Sequence, residues 1–399
     1  MQSFLEQAHA LAPRLAETRR ILHAHPETGL QEHWTSAFIK ERLLRLGIEV
    51  SPWGGETGVV GLLRASAPGP ALALRADIDA LPIREHNETP YRSTIDGCMH
   101  ACGHDAHMSC LLGAAELLAA RRGELKSTVK FIFQPAEECL NGAARMIEKG
   151  VLHNPDVAFI FGLHCMPDIE AGQIALKEGP LMACVGSTRL VIRGKGGHGA
   201  MPNKCRDPVL AAAGILQALQ TIVSRRADPL EAVVISFGSI HGGAVGNVIP
   251  DSVELLGTVR GFKPELFDTL PETMNSLISH TAIAYGTEAD FTFTREVSCV
   301  CNPADATAWV RRTLTKVFGE SGILPAVPSM GGEDFALYQE KTPGVYCWLG
   351  TGNAAQGITN AWHNPRFDID EAALPFGAAA YAQVAFDWRP RRHAVVFSM

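Results

Sequence analysis

The run MHACGHDAHMSC, from Met99 to Cys110, places several metal-binding residue types within a few positions of one another. Only Gly103 separates Cys102 from His104, and an aspartate and a second histidine follow directly. Thiolate and imidazole suit zinc and neighbouring transition metals, and the glycine lets the backbone bend until both side chains face one ion. A buried cysteine beside a helix-capping aspartate would give the same pattern. This run alone therefore leaves both interpretations open.

Two adjacent glutamates, Glu137 and Glu138, follow the apolar run TVKFIF and a short QPA segment. Neighbouring side chains at a strand end point in different directions. One glutamate can therefore bind a metal while the other faces a water molecule. The alternative is a solvated carboxylate pair that opens the next helix, where the helix dipole favours negative charge.

Two further histidines complete the set of possible ligands. His164 ends the apolar run VAFIFGLH, and His363 lies in the segment WHNP. A single histidine in either place is more often a structural residue than a ligand. Both become candidate ligands because a centre built on Cys102, His104 and Glu138 needs further partners.

Three charged residues alternate along ALALRADIDA, so Arg75, Asp77 and Asp79 share one face of a predicted strand. Buried carboxylates need partners, and a carboxylate often orients a histidine that binds metal. An ion pair explains Arg75 and Asp77 equally well. Asp79 is therefore the better candidate for a carboxylate that acts in catalysis.

The glycine-rich segment GKGGHG at 194–199 matches the GxGxxG pattern of dinucleotide-binding folds. We reject that interpretation, because no acidic residue ends a second strand about 20 residues later and His198 occupies the middle of the supposed phosphate loop. The glycines instead present His198 on a closely approached backbone, and GGAVGNVIP at 242–250 presents Asn247 as an amide donor. Ordinary hairpin turns explain both segments equally well. The chain has no GxSxG motif, which argues against a serine hydrolase.

Short apolar strands must position the metal-binding clusters. GVVGLL, ALALRADIDA, TVKFIFQP and VAFIFGLH are predicted strands, and helices are predicted at 106–121 and 142–149. This alternation predicts an α/β fold with a mainly parallel, buried sheet. Ligands of such sheets gather beyond the carboxyl ends of the strands, which is where Asp79, the two glutamates and His164 are expected.

Residues 186–296 follow a different pattern, of strand, helix, two strands, helix and strand. The helices are expected at 207–226 and 263–286, and the order is that of a ferredoxin-like α+β unit. After Pro303 the sequence returns to the alternation of helices and strands seen before residue 186. The sequence therefore predicts one domain formed by 1–185 and 297–399, with 186–296 inserted into it.

Composition and charge exclude several classes of protein. The 399 residues are 46% hydrophobic and 19% charged, which predicts a globular protein of about two domains. A net charge of −7 argues against nucleic acid or an anionic membrane as a partner. No apolar run reaches the roughly 18 residues that span a bilayer, and the start is an amphipathic helix without signal-peptide features. Ten scattered cysteines are typical of reduced thiols in a cytoplasmic protein.

Taken together, these motifs resemble the M20 metallopeptidase family, in its amidohydrolase branch. The resemblance extends over nearly the whole chain in colinear order. The segments that carry it are ILHAHPETGLQEH at 21–33, LRADIDALPI, MHACGHDAH, FIFQPAEE, GLH, GKGGHGAMP, GNVIPD, GGEDF and WHNPRFDID.

The resemblance implies roles for the candidate residues. It implies a dinuclear centre of two divalent ions per subunit (zinc, manganese, cobalt or nickel), with Cys102 bridging them. Its implied ligands are Cys102, His104, Glu138, His164 and His363. Glu137 would be the general base and Asn247 would contact the substrate. The inserted domain would be a lid and dimerisation domain, through which His198 reaches the partner's site in a homodimer or higher homo-oligomer and polarises the scissile carbonyl.

The implied reaction is hydrolysis of the amide bond of a small N-acyl-amino acid, either hippurate-like or N-acetylated. A carboxypeptidase or dipeptidase of the same fold and an N-acetyldiaminopimelate deacetylase are the alternatives. A metal-binding relative without catalytic activity is a weaker alternative, because it would have little reason to keep Glu137 beside Glu138.

Overall fold

The computed structural model describes residues 2–66 and 69–389, which form two compact units. The first unit takes in the described parts of 1–181, 300–327 and 333–399, and the second takes in 182–299 and 328–332. The second unit thus contains all of the predicted insertion. It also takes in Pro328–Gly332, which the sequence analysis placed in 297–399. The last ten residues of that predicted segment lie outside the described part of the chain.

Ten α-helices lie in the described residues, and none of them is long and apolar enough to cross a bilayer. They are α1 (Phe4–Ala10), α2 (Ala12–Ala24), α3 (His33–Arg45), α4 (His104–Ala120), α5 (Gly142–Glu148), α6 (Pro208–Thr221), α7 (Leu266–Ala284), α8 (Ala304–Phe318), α9 (Phe335–Gln339) and α10 (Leu374–Asp387).

Sixteen strands alternate with these helices in the same ranges. They are β1 (Glu49–Ser51), β2 (Val59–Leu63), β3 (Ala71–Asp77), β4 (Val129–Gln134), β5 (Val157–Glu170), β6 (Ile174–Leu176), β7 (Gly179–Met182), β8 (Cys184–Arg193), β9 (Gly197–His198), β10 (Val233–His241), β11 (Val248–Ile249), β12 (Ser252–Gly261), β13 (Glu288–Val297), β14 (Val300–Asn302), β15 (Ile323–Pro325) and β16 (Gly344–Gly352).

An eight-stranded sheet organises the first unit, in the order β1-β2-β4-β3-β5-β16-β6-β15. Its centre is parallel, because β3 pairs in parallel with β4 and β5, and β5 with β16. Strands β1 and β2 at one edge, and the β16–β6 pair towards the other, are antiparallel. Every residue of β2, β3, β4 and β16 is buried, as expected of apolar strands covered on both faces. The predicted mainly parallel α/β fold is confirmed.

The central strands end at one edge of this sheet. Asp77 at the end of β3 pairs with Gln134 at the end of β4, so the segments that follow both strands emerge side by side. His164 was expected to end its strand but lies in the middle of β5, which continues to Glu170. The reason is that β16 continues to pair with β5 after β3 has ended. His164 still lies at the level of Asp77, because Arg75 is opposite Gly162.

Helix α4 is the central helix of the first unit and packs against α2, α10 and β3. Its first twelve residues are all buried, from His104 to Ala115. A helix that is apolar on every face belongs in a core. The site residues at its amino end are therefore held by an element that cannot shift without disturbing the core.

The second unit has a four-stranded antiparallel sheet in the order β10-β12-β8-β13. Helices α6 and α7 pack together, and apolar side chains of both helices and of the sheet form one core. Chain order and sheet order together are those of the ferredoxin-like fold, so the predicted topology of this unit is also confirmed.

The amino-terminal segment differs from its prediction as a single helix. Leu11 separates α1 from α2. Pro13 in the first turn of α2 has no amide hydrogen to donate to the carbonyl of His9, and this breaks the hydrogen-bond ladder. Ser3 and Glu6 form a capping box that begins α1.

Candidate active site

A glycine turn before α4 sets the directions of the Cys102 and His104 side chains. Gly103 has a φ of +88°, in the left-handed region that favours glycine. A Cβ atom at this position would lie 3.0 Å from the Cβ atom of Cys165 on β5. The turn therefore packs directly on the sheet, with the side chains of Cys102 and His104 both buried.

The five residues predicted to bind metal lie together in two groups of three that share Cys102. In the first group, with His104 and His164, the Cys102 Sγ atom lies 3.4 Å from Nε2 of His164. In the second, with Glu138 and His363, Nε2 of His363 lies 3.5 Å from Oε1 of Glu138. The ligand atoms within each group are within 4.8 Å of one another. The Sγ atom of Cys102 is thus common to both groups.

Hydrogen bonds fix which ring nitrogen of each buried histidine faces the site. Nδ1 of His104 lies 2.8 Å from the carbonyl oxygen of Asp79, and Nδ1 of His164 lies 2.8 Å from that of Cys165. Because a carbonyl only accepts, each Nδ1 carries a proton, and in the neutral form of each ring Nε2 has the lone pair.

Two buried atoms of these groups have no hydrogen-bond partner among the described residues. They are Nε2 of His104 and Oε1 of Glu138, and they lie 3.9 Å apart. Buried polar atoms nearly always have a hydrogen-bond partner. Together with the nearby thiol of Cys102, this imidazole nitrogen and this carboxylate oxygen are a donor set that fits divalent transition metals.

His107 lies beside this group, but both of its ring nitrogens are engaged. Its Nδ1 lies 2.5 Å from Oδ1 of Asp77, and its Nε2 accepts the amide hydrogen of Cys165 at 2.8 Å. His107 therefore joins Asp77 to the backbone of β5 and has no lone pair left for a metal. Asp105 is also engaged, since it accepts from Arg19 at 2.7 Å.

Asp79 holds the loop that carries the two glutamates. Its Oδ1 accepts the amide hydrogen of Glu137 at 3.1 Å, and its Oδ2 accepts that of Glu138 at 3.0 Å. Its backbone carbonyl accepts from His104. The backbone carbonyl of Asp79 thus orients His104, and the carboxylate of Asp79 positions the loop.

Ala136 gives this loop its sharp turn. Its φ is +53°, a left-handed value that costs a residue with a Cβ atom about 1–2 kcal/mol. The two residues after the turn differ in exposure: Glu137 is buried, whereas Glu138 is partly exposed. The two glutamates thus differ in burial, although their carboxylate oxygens lie within 4.8 Å of one another.

Arg75 lies in a buried cluster of acids next to the loop. It pairs with Asp77 at 2.7 Å, Glu333 at 2.8 Å and Asp334 at 2.9 Å. The Arg75–Asp77 ion pair considered in the sequence analysis is therefore present. The other two acids were given no role, although GGEDF was among the family-like segments. Carboxylate oxygens of Glu137, Glu333 and Asp334 lie within 4.8 Å of one another.

These charges change the protonation of the predicted ligands. Burial alone would lower the pKa of His104, but Asp77 and Asp79 outweigh it and raise that pKa to about 10. Burial raises the pKa of the Cys102 thiol well above its usual range, and the negative charge of Glu138 adds to this. A thiolate and a neutral imidazole are the forms that bind metals, so metal binding here must release protons.

The surroundings of Glu137 favour the protonated form of its carboxyl. Burial raises the pKa of its carboxyl well above the usual range, and repulsion from Glu333 and Glu138 raises it further. A cation bound nearby acts in the opposite direction. The charge of this carboxyl therefore depends on whether a cation is bound beside it.

His198 and Asn247 lie in the second unit, on two short paired strands. His198 of β9 pairs with Val248 of β11, and the backbone carbonyl of Asn247 accepts the amide hydrogen of Gly199 at 2.8 Å. Both side chains are exposed. Nδ1 of His198 accepts the amide hydrogen of Ala200 at 3.2 Å, so its Nε2 carries the proton and can donate.

Known proteins resemble the chain over nearly its full length. The model of the family described as peptidase family M20/M25/M40 matches residues 73–387. The N-acetylcysteine deacetylase of Bacillus subtilis is 43% identical over 377 residues, which cover 94% of this chain and 97% of that protein. Thermostable carboxypeptidase 1 of Saccharolobus solfataricus is 37% identical over 376 residues, which cover 93% and 94%.

A solved structure of an M20 family protein also resembles the chain over nearly its full length. It is the crystal structure of a Bacillus subtilis protein described as a dinuclear metal binding peptidase from the M20 family. The similarity has a TM-score of 0.82 with 40% sequence identity, and covers 95% of this chain and 98% of the other. The coverage is wide enough to include both units of the chain.

Proposed function

The chain belongs to peptidase family M20/M25/M40, and on that premise we propose that it is a metal-dependent amidohydrolase that cleaves N-acyl-amino acids. Its products would be a carboxylate and a free amino acid. The observation that carries the proposal is the pair of three-residue groups that share Cys102, with Glu137 on the loop beside them. The deacetylase relative supports an acylated amino acid as the substrate.

Five residues would hold the two divalent ions. Cys102 would be shared between them, and the remaining ligands would be His104, Glu138, His164 and His363. The donor set accepts zinc, manganese, cobalt or nickel. When bound, the ions supply Lewis acidity, which lowers the pKa of water and offsets negative charge on the carbonyl oxygen. The crystal structure described as a dinuclear metal binding peptidase supports a site for two ions.

Glu137 would move the proton during hydrolysis. Its carboxylate takes a proton from the attacking water and later delivers it to the nitrogen of the departing amino acid. Asp79 supports this role by holding the amide of Glu137. The buried carboxylates of Glu333 and Asp334 raise the pKa of Glu137, which favours proton uptake by its carboxylate. Asn247 would contact the substrate from the second unit.

His198 would act on the scissile carbonyl in the partner's site of a homodimer. Its Nε2–H is available to donate to an oxygen on which negative charge develops. We expect His198→Ala to keep both metal ions and the dimer, and to lower kcat about 10²–10³-fold, which is typical for loss of one such donor. Steady-state kinetics, metal analysis and light scattering on the purified variant measure these three properties.

Mixed dimers distinguish action across the dimer from action within one chain. Combining inactive His198→Ala subunits with inactive Glu137→Ala subunits leaves one site of each mixed dimer with both residues. Partial recovery of activity is therefore expected. If mixed dimers form and remain inactive, His198 does not serve the partner's site.

A carboxypeptidase or dipeptidase activity is the second candidate, and the similarity to thermostable carboxypeptidase 1 favours it. The metal centre would be the same in both cases, and only the pocket around the substrate would differ. N-acetyldiaminopimelate deacetylation is a narrower form of the first proposal.

The buried thiols of Cys110, Cys165 and Cys347 support a reducing, cytoplasmic location.

A substrate panel decides between these activities. The metal-loaded enzyme is assayed on hippurate, N-acetyl-amino acids including N-acetylcysteine, N-acetyldiaminopimelate, free dipeptides and N-blocked dipeptides. We expect kcat/KM for the best N-acyl-amino acid to exceed that for any peptide by about tenfold or more, a difference that pocket contacts commonly produce. Preference for peptides would establish the second candidate. No turnover on the whole panel with metal bound would refute both.

A further inference from the structure

The segment PETGLQEH, residues 26–33, has no role in the site described so far, although it belongs to one of the family-like motifs. It is joined to the chain just after Asp79. The backbone carbonyl of Glu27 accepts the amide hydrogen of Ala80 at 2.8 Å, and Thr28 pairs with Ala80 in a parallel bridge. One end of the segment is thereby fixed to the edge of the sheet where β3 ends.

The same segment also contacts the loop that follows β4. Glu32 is fully buried, and its Oε1 accepts the amide hydrogen of Ala136 at 2.8 Å. Gly29 packs so closely on the loop that an added Cβ atom would lie 3.2 Å from the Cα atom of Ala136. The segment therefore supports the loop together with Asp79, whose carboxylate accepts the next two amide hydrogens.

Ala136 is the position at which this support matters most. Its left-handed conformation directly precedes Glu137 and Glu138, so a change in its backbone angles would redirect both side chains. Two hydrogen bonds hold its peptide groups. Its carbonyl accepts the amide hydrogen of Gly142 at 3.2 Å, and its own amide donates to Glu32. Without Glu32, a buried amide hydrogen in a strained turn would lose its acceptor.

We propose that Glu32 is a positioning residue, whose carboxylate holds the turn at Ala136 and thereby sets the directions of Glu137 and Glu138. The catalytic part of this inference rests on the proposed function, whereas the structural part does not. Burial raises the pKa of Glu32, so the site does not favour a charged group. An uncharged acceptor of the same shape should therefore replace it.

Three variants separate this role from a general effect on folding. Glu32→Met fills the same space without an acceptor oxygen, and Glu32→Gln keeps an acceptor. Glu27→Met is the matched control from the same segment. The carboxylate of Glu27 accepts the amide hydrogens of Trp34 and Thr35 at the start of α3, and within the described part of the chain it accepts none from residues 134–141.

Hydrogen exchange of the peptide that covers residues 134–141 tests the structural part without any substrate. We expect Glu32→Met to accelerate exchange in this peptide by about tenfold or more, the effect of losing one buried hydrogen bond. Glu32→Gln and Glu27→Met should exchange like the wild type there. Unchanged exchange in folded Glu32→Met, or equal acceleration in Glu27→Met, would overturn the proposal.

Kinetics on the preferred substrate test the catalytic part. We expect Glu32→Met to lower kcat about 10²-fold with little change in KM, as a displacement of about 1 Å does at an active site. Glu32→Gln should restore most of the activity. A kcat in Glu32→Met equal to that of the wild type would overturn the catalytic role. If the wild type hydrolyses no N-acyl-amino acid, the proposed function fails, and the exchange experiment still decides whether Glu32 holds the loop.

Discussion

Replacing Glu137 with glutamine is expected to lower kcat for N-acyl-amino acid hydrolysis about 10²–10⁴-fold, the usual contribution of a general acid–base group. Glutamine has nearly the same shape as glutamate but cannot take a proton from water. The amide of residue 137 would still donate to Asp79, so the loop should keep its conformation. The metal content and the KM should therefore stay close to those of the wild type. Steady-state kinetics and elemental analysis of the purified variant measure both.

The neighbouring residue supplies the matched control. Glu138→Gln removes a carboxylate from the same loop, and its amide also keeps its bond to Asp79. We expect this variant to bind at least one ion more weakly, because Glu138 belongs to the group with Cys102 and His363. If Glu137→Gln loses metal and Glu138→Gln does not, the two assignments are reversed. Full activity in Glu137→Gln would remove it from the mechanism.

The Cys102→Ser variant is expected to lose tight binding of at least one ion and most of its activity while keeping its fold. Cys102 is the only residue common to the groups with His164 and with His363. A metal deprotonates a bound thiol outright, whereas a serine hydroxyl keeps its proton near neutral pH and is a poor ligand. Metal content after dialysis, circular dichroism and turnover of the preferred N-acyl-amino acid measure the three effects.

Cys110→Ser is the control for this change. Cys110 is also buried in α4, and its Sγ atom donates to the carbonyl of Leu374 at 3.5 Å. It belongs to none of the groups that share Cys102. Its serine variant should therefore keep both ions. Wild-type metal content in Cys102→Ser would exclude Cys102 from the site.

Much of the fold could be predicted because its elements have strong local patterns. The apolar runs that became β3, β4 and β5 are too hydrophobic to be anything but buried, and parallel strands bring their carboxyl ends to one edge. The strand that contains His164 was predicted too short because its extension depends on β16, about 180 residues later in the chain. Local patterns carry no information about such pairing.

In the site, too, local motifs predicted some residues, whereas contacts between residues far apart in sequence could not be predicted. Residue types and motifs were sufficient to nominate Cys102 and His104, but they could not explain why the nearby His107 is engaged elsewhere. That difference depends on the hydrogen bond that His107, in α4, accepts from the amide of Cys165 on β5. The pairing of Arg75 with Glu333 joins residues 258 positions apart, and the bond from Ala136 to Glu32 spans 104. Only the folded chain brings these groups together.

Titration of the metal-stripped enzyme is the most direct test of the proposed dinuclear centre. The protein is freed of metal with a chelator, then supplied with Mn²⁺, Zn²⁺, Co²⁺ or Ni²⁺ in steps, and bound metal and N-acyl-amino acid hydrolysis are measured at each step. The proposal predicts negligible hydrolysis by the stripped protein and recovery that is complete when two ions are bound per subunit. Full hydrolysis without metal, or a site that saturates at two ions without any recovery of hydrolysis, would contradict it.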